Sequence, residues 1–226
     1  MVADFFEKSV GIANAEEVFM NAKGFTGWDV LILLSTVVLL MGLVLLANRP
    51  SRGARGGRIQ CVSNQKQIAL AFRMWSNDHA NQFPMSSGAK DSAVAGDPIP
   101  SFLILSNELV SPKLLLCPED QKRGPRALIF AGLAAKNISY LVGIDANETN
   151  VASILTADRN VVLPDLKQPQ GLLSITDSGS AQWSREIHKQ QGNIALVDGS
   201  ASQATQDGLR KALRGSGLAT NRFAVP

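Results

Sequence analysis

Histidine and cysteine, two residue types often used in catalysis and metal binding, are rare in this chain. The sequence contains two histidines, His79 and His188, and two cysteines, Cys61 and Cys117. Two histidines exclude a three-histidine zinc site, and a site of two histidines and one acid would need both of them. The sequence has no nucleophile elbow, Walker loop or dinucleotide-binding glycine pattern. A Ser-His-Asp triad stays open because triads are defined by geometry, but we expect a protein that is not an enzyme.

A second set of candidates lies around His188. Nine residues separate His188 from the pair Asp198-Gly199. An Asp-Gly pair forms a tight turn through its backbone preference alone, so a turn is the simplest role for Asp198. Asp158, Asp177 and Asp198 are conceivable oxygen ligands of calcium, although no dense acidic loop holds them. We therefore expect no cofactor, with calcium as the alternative.

The element that dominates the N-terminal part is an apolar run at 30–47. It has eighteen consecutive residues without a charge, which reach about 27 Å as a helix and about 30 Å with Trp28 and its neighbours, enough to cross a bilayer core. A buried core helix and a secretory signal are the alternatives. Both fit less well, because core helices seldom lack charge for so long and a secretory signal begins with a basic segment, whereas residues 1–24 are net acidic. We expect a transmembrane helix at 25–48.

Charge is concentrated just after this run. The formal net charge is +3, and much of the excess comes from Arg49, Arg52, Arg55 and Arg58. The rest of the chain is nearly balanced, which argues against a nucleic-acid-binding surface. The four arginines could lie against anionic lipid, at about 1 kcal/mol each. By the positive-inside rule they would also place the C-terminal part in the cytoplasm.

The segment 49–58 separates the apolar run from the remainder of the chain. One proline and three glycines within ten residues predict a linker, because both residue types break helices. A helix is predicted from about 58 to 77, since apolar residues recur on one stripe that is typical of a core-facing helix. The stripe consists of Cys61, Ile68, Phe72 and Trp75.

The remaining residues, to 226, predict a sheet flanked by short elements. Residues 85–100 are small and polar and predict a surface loop, and a short helix is expected at 102–109. Beta-like runs are predicted at 139–144, 153–156, 172–176, 193–197 and 200–205. A last helix is expected at 206–214, with Thr205 as N-cap and Gly215 as its end. Strands grouped after a helix favour an α+β fold with an antiparallel sheet.

The residues before the apolar run carry a family resemblance. The sequence Lys23-Gly24-Phe25-Thr26-Gly27-Trp28-Asp29 resembles the cleavage and methylation signal of type IV pilins and type II secretion pseudopilins. The resemblance implies a leader at 1–24, cleavage between Gly24 and Phe25, and an assembly role for Asp29. In that family an acid at the fifth mature position neutralises the amine of a neighbouring subunit. The alternative is that Asp29 only marks the wet end of an anchor helix.

The C-terminal part, 59–226, has three further matches. The helix with Cys61, the Cys117-Pro118 segment and the spacing from His188 to Asp198-Gly199 look like those of pseudopilin-like proteins abundant in planctomycete and verrucomicrobial lineages. The resemblance implies a pilin-like head in which one helix packs on an antiparallel sheet. It also implies a Cys61–Cys117 disulfide, which would contribute about 4 kcal/mol through loop entropy. Two reduced, buried thiols are the alternative.

Together these matches imply a structural subunit of a type IV pilus-like filament or a type II secretion pseudopilus. Its expected partners are a prepilin peptidase, copies of itself or other pilin-like subunits, and the bacterial inner membrane. The implied location is single-pass in that membrane, with the head extracytoplasmic or in a surface filament, opposite to the placement favoured by the arginines. A membrane-tethered extracytoplasmic binding module that is never polymerised is the alternative function.

Overall fold

A computed structural model describes residues 26–47, 54–166 and 169–226 of the 226-residue chain. The chain divides into two compact units, residues 1–51 and residues 52–226, and we call the second unit the head. The predicted leader 1–24, the predicted cleavage residues Gly24 and Phe25, residue 48 of the predicted transmembrane helix and residues 49–53 of the predicted linker lie outside the described residues.

The described part of the first unit is one helix. Helix α1, Gly27–Ala47, has 21 residues, of which Asp29 is the one charged residue. Its stretch Gly27–Val44 is long and apolar enough to cross a membrane, and none of that stretch is buried. No other helix in the described ranges meets both criteria. The length, composition and exposure of this stretch agree with a membrane segment near the N-terminus.

The head begins with a long helix, α2, Ala54–Asp78. It starts inside the predicted linker 49–58, so the prediction of a non-helical stretch was wrong for residues 54–58. Each helical glycine costs about 1 kcal/mol relative to alanine, and the packing of the rest of α2 outweighs that cost. The predicted core stripe is confirmed, because its members are between 0% and 7% exposed. These members are Cys61, Ile68, Phe72 and Trp75.

Eight strands follow α2 in the described part of the head. They are β1 Tyr140–Gly143, β2 Ile154–Asp158, β3 Val161–Val162, β4 Gly171–Ile175, β5 Gln182–Trp183, β6 Gly192–Leu196, β7 Ala201–Ala204 and β8 Asn221–Val225. Six of them form an antiparallel sheet in the order β4-β8-β1-β2-β6-β7, and β3 pairs with β5. The five predicted runs correspond to β1, β2, β4, β6 and β7. Strands β3, β5 and β8 were not predicted.

The connection between α2 and the sheet is more ordered than expected. Instead of a plain surface loop at 85–100, it contains a 3-10 helix, Pro84–Ser86, and helix α3, Lys90–Val94. Met85 is 1% exposed, so this segment contributes to the core. The helix predicted at 102–109 overlaps α4, Ile99–Ile104, only at residues 102–104, and the prediction was wrong for residues 105–109. Three further 3-10 helices follow α4, at Pro112–Leu115, Phe130–Gly132 and Ala135–Asn137.

Both faces of the large sheet are covered. Side chains alternate across a strand, so Tyr140 and Val142 join a core with α2 while Leu141 joins the opposite core. The second core includes Leu209 and Leu213 of helix α5, Gln206–Gly215. The α+β class with an antiparallel sheet is therefore confirmed, but helices cover the sheet on two sides rather than one. The predicted N-cap is confirmed too, since the Thr205 side chain accepts the backbone N–H of Gly208.

Candidate functional site

Helix α1 starts beside a carboxylate that is held by its own chain. Asp29 Oδ2 accepts hydrogen bonds from the Thr26 backbone N–H at 2.9 Å and from the Thr26 hydroxyl at 2.7 Å. Thr26 stands at the N-cap and Asp29 at the third helical position, as in one half of a capping box, where the helix dipole favours a negative charge. Both bonds use Oδ2. Among the described residues, Oδ1 has no hydrogen-bond partner and can accept one more donor.

In the head, a disulfide joins α2 to the segment that precedes the sheet. Cys61 and Cys117 are 56 positions apart in the sequence, and their Cα atoms are 5.1 Å apart. Both residues are almost completely buried. The pairing implied by the family resemblance is therefore present, and the alternative of two free thiols is wrong for this structure.

His188 lies directly against this disulfide. Its Nε2 is 3.4 Å from Cys117 Sγ, 3.1 Å from Asn193 Nδ2 and 3.4 Å from Asp158 Oδ2. His188 is 6% exposed. The backbone angle φ is +54° at His188, +54° at Lys189 and +65° at Gln190. Three successive non-glycine residues in the left-handed region are unusual. This turn directs the imidazole inward from a connection that would otherwise lie on the surface.

Asp158, at the end of β2, is the acid beside this imidazole. It is 0% exposed. Its Oδ2 accepts the backbone N–H of Asn193 at 2.8 Å and the Asn193 side-chain amide at 3.0 Å, and its Oδ1 accepts Gln65 Nε2 at 3.0 Å. The carboxyl therefore connects α2, β2 and β6. The sequence did not predict a role for Gln65 or Asn193. Asn193 is a polar residue within the otherwise apolar β6, which could have indicated a buried hydrogen-bonding role.

Burial shifts the two titratable groups in opposite directions. It raises the pKa of Asp158 to about 7, although the hydrogen bonds from Asn193 and Gln65 lower this pKa. Burial and, to a smaller extent, the positive charge of Arg58 lower the pKa of His188 to about 4. Asp120 raises both values through its negative charge. Between about pH 4 and pH 7 the pair therefore holds one proton, on the carboxyl, and the imidazole is neutral.

The spacing that starts at His188 ends at Asp198-Gly199, which form a turn. Asp198 Oδ1 accepts the backbone N–H of Ser200 at 2.8 Å, Gly199 has φ +84°, and the Asp198 carbonyl accepts Arg73 from α2 at 2.7 Å. The hydrogen bond with Ser200 lowers the pKa of Asp198. His188 and Asp198 are separated by β6, which spans about 17 Å, so they do not form one site. Each secures one end of that strand.

The three calcium candidates are not brought together. Asp158 is buried with the donors above, Asp177 Oδ1 accepts the backbone N–H of Gly179 at 2.8 Å, and Asp198 closes the hairpin. The potential metal-binding group found in the described ranges is instead Cys61, Cys117 and His188. The calcium alternative is therefore wrong for these three acids.

The second histidine takes no part in the cluster. His79 stacks on Trp75 with ring centroids 3.7 Å apart. Its Nδ1 is 2.7 Å from the Trp75 carbonyl.

A surface cleft of about 470 Å³ lies above the cluster. His188 contributes to its wall together with Arg58, Glu119, Gln121, Arg185, Glu186, Lys189 and Gln203. Arg58 donates to Gln191 Oε1 at 2.5 Å and to the His188 carbonyl at 2.7 Å. Arg58, one of the four arginines expected to face lipid, is therefore held by hydrogen bonds within the head. Nearby, Arg159 forms ion pairs with Asp120 at 2.7 Å and with Glu186 at 3.0 Å.

Comparison with protein-family models, with curated proteins and with solved structures finds no match to this chain.

Proposed function

We propose that this chain is a structural subunit of a type IV pilus-like filament or a type II secretion pseudopilus, stored in the membrane and assembled after removal of residues 1–24. The observation that carries the proposal is the start of α1. A single carboxylate, Asp29, stands in the first turn of an apolar, unburied helix, and its Oδ1 has no hydrogen-bond partner among residues 26–47, 54–166 and 169–226. An acid at such a position is a functional candidate because it is costly in a membrane unless paired.

The donor in this proposal is the amine that cleavage would create at Phe25, on the same or on a neighbouring subunit. An ammonium group on the apolar helix of one subunit is neutralised by Asp29 of another, which sets the axial register between them. The layout of the head, a long helix on an antiparallel sheet, is compatible with a pilin-like subunit. The proposal assigns the chain no reaction of its own.

The first test is the mature N-terminus. We expect intact-mass analysis of the protein, expressed in a bacterium that has a prepilin peptidase, to give a chain that starts at Phe25. The control is the same chain in a strain that lacks the peptidase, where residues 1–24 should remain. If all cell-associated protein keeps Met1 in both strains, the proposal is wrong.

The second test concerns the charge of Asp29. Asp29→Asn keeps an oxygen that can accept the Thr26 N–H but removes the charge, so we expect normal membrane insertion and loss of cross-linked multimers. Asp29→Glu should retain multimers. Ser35→Ala is the matched control, because the Ser35 hydroxyl only donates to the Ile32 carbonyl within the same helix. Multimers of Asp29→Asn at the wild-type level would instead favour a simple anchor helix.

The proposed location has the head outside the inner membrane, where a disulfide persists. The opposing argument from the arginines is weakened, because Arg58 is held by the head. Protease added to cells with only the outer membrane opened should degrade the head. Degradation that requires opening of the inner membrane as well would place the head in the cytoplasm.

The second candidate function is a membrane-tethered binding module that is not polymerised, and the cleft beside His188 favours it. The cleft presents both charges, with Arg185 and Lys189 as cations and Glu119 as an anion. Arg185→Ala combined with Lys189→Ala should leave multimer formation unchanged if the chain is a filament subunit. A phenotype equal to loss of the whole protein, with multimers intact, would favour the binding module.

A further inference from the structure

We propose that Cys61, Cys117 and His188 form a redox-gated site for a thiophilic metal ion. Zn²⁺ is the ion whose size and charge fit this site. While the disulfide is intact, the site is closed. When the disulfide is reduced, two thiolates and one imidazole nitrogen bind the ion, and water fills the fourth position. The site does not depend on filament assembly.

The distances between the ligand atoms support this assignment. The two sulfurs and the His188 ring nitrogen all lie within 4.8 Å of one another. With Zn–S bonds of about 2.3 Å and Zn–N bonds of about 2.1 Å, a tetrahedral site has an S···N edge of about 3.5 Å. The distance from Cys117 Sγ to His188 Nε2 is 3.4 Å. This edge is already formed, and on reduction Cys61 Sγ must move away from Cys117 Sγ to about 3.8 Å.

The imidazole is presented in the form that a metal requires. Asn193 Nδ2, a donor, is 3.1 Å from His188 Nε2, so the lone pair of the neutral ring is on Nε2. The same nitrogen is the one that faces the sulfur. Asn193 Nδ2 also donates to Asp158 Oδ2 at 3.0 Å, which keeps the amide in place if a metal takes the lone pair. The ion therefore replaces the Asn193 N–H as the partner of the Nε2 lone pair.

The charge and the position of the site also suit a divalent ion. Cys61 and Cys117 are 0% and 1% exposed and His188 is 6% exposed. Two thiolates and one Zn²⁺ have no net charge, which avoids the large penalty for leaving an isolated charge in a buried place. His188 also lines the 470 Å³ cleft, so the buried site lies next to a solvent-accessible surface.

A dithiol reductant can open the site by reducing the Cys61–Cys117 disulfide. The dithiol transfers two electrons and two protons to the disulfide, so the S–S bond breaks, two thiols form on the protein, and the dithiol becomes a cyclic disulfide. Zn²⁺ then replaces the two thiol protons, which pass to solvent. An oxidant of the disulfide class reverses the first step and expels the ion.

The experiment measures metal binding by the full chain in non-ionic detergent. The protein is reduced with a dithiol, desalted without oxygen, and titrated with Zn²⁺ in competition with a chromogenic chelator. Co²⁺ serves as the spectroscopic probe, because thiolate ligation gives a charge-transfer band. We expect one Zn²⁺ per reduced chain and none per oxidised chain. His188→Gln removes a ligand, so it should weaken binding by more than the roughly 10- to 100-fold that is typical of losing an outer contact, and the Co²⁺ band should change.

His79→Gln is the matched control, because it removes the other histidine outside the cluster, and it should bind like the wild type. Reduction also removes a stabilising crosslink, so near-UV circular dichroism is followed in parallel. If reduction unfolds the head, Zn²⁺ should restore the folded signal. The proposal is overturned if the reduced chain binds no Zn²⁺ while folded, if it stays unfolded in excess Zn²⁺, or if His188→Gln and His79→Gln bind equally.

Discussion

The buried pair of Asp158 and His188 predicts an unusual pH dependence of stability. In the unfolded chain the aspartate is ionised above about pH 3.8 and the histidine is protonated below about pH 6.5, so the two groups together hold one proton between these values. In the folded head they also hold one proton, because the pKa of Asp158 is raised to about 7 and that of His188 is lowered to about 4. Stability depends on pH only when folding changes the number of bound protons. The pair therefore adds almost no slope between pH 4 and pH 6.5.

Removing either partner should reveal the pH dependence that the other partner gives to the free energy of unfolding. The two dependences have opposite signs. In Asp158→Asn, His188 has a depressed pKa, so its stabilisation is complete above pH 6.5 and is lost as the pH falls towards 4. One proton is worth about 1.4 kcal/mol per pH unit. Over this window the free energy of unfolding should therefore fall by about 3 kcal/mol relative to the wild type. The amide mimics the protonated carboxyl, so its other effects are a constant offset.

In His188→Gln, Asp158 keeps its raised pKa. The stabilisation is then complete below pH 3.8 and is lost as the pH rises through 7, a decrease of about 4 kcal/mol. The double variant, which has neither titratable group, should regain the wild-type slope.

The assay is urea unfolding of the full chain in non-ionic detergent at half-unit steps from pH 4 to pH 7.5, with the disulfide intact. Fluorescence of Trp75 and Trp183, which are 7% and 1% exposed, reports on the head. The wild type is measured at each pH, so that all other carboxylates cancel in the difference. Parallel curves for the wild type and both single variants would refute the reasoning, because the two groups would then hold their unfolded-state protons in the folded head.

Three other predictions concern stability. Phe72→Ala should destabilise the head by about 3–5 kcal/mol, because Phe72 is 0% exposed and packs edge-on against Phe83 and Phe102. Urea unfolding measures this loss, and a value under about 1 kcal/mol would contradict the packing. Replacing both Cys61 and Cys117 by alanine should cost about 2–5 kcal/mol in the same assay, with no further loss on adding reductant. Gly199→Ala should cost about 1–2 kcal/mol, because φ is +84°, whereas Gly215→Ala, in a helix and in open space, should be neutral or stabilising.

Several elements could be predicted from the sequence because local residues decide them. Helix α1 follows from a charge-free apolar run, whose length alone meets the requirement for a membrane span. The buried stripe of α2 follows from helical spacing, and the start of α5 follows from Thr205, whose side chain caps a backbone N–H three residues away. The turn at Asp198-Gly199 is equally local, since a carboxylate and a positive φ complete it.

Other features depend on where the fold places distant segments. Strand β8 is short and close to the C-terminus, and it becomes a central strand only because β1 and β4 pair with it on either side. The start of α2 at Ala54 opposes the local preference of its glycines, and only packing against the head compensates for that.

The cluster around His188 shows the same division. The sequence drew attention to Cys61, Cys117 and His188 by their rarity and by family resemblance, but it assigned Asp158 to calcium and left Asn193 unnoticed. Asp158 lies 93 positions from Gln65, its partner on α2, and 35 positions from Asn193. Side-chain periodicity reports which face of an element is buried, but it contains no information about which faces meet. The residue types and the local elements were therefore readable from the sequence, whereas the tertiary structure alone decided that a disulfide, an imidazole and a carboxyl share one buried site.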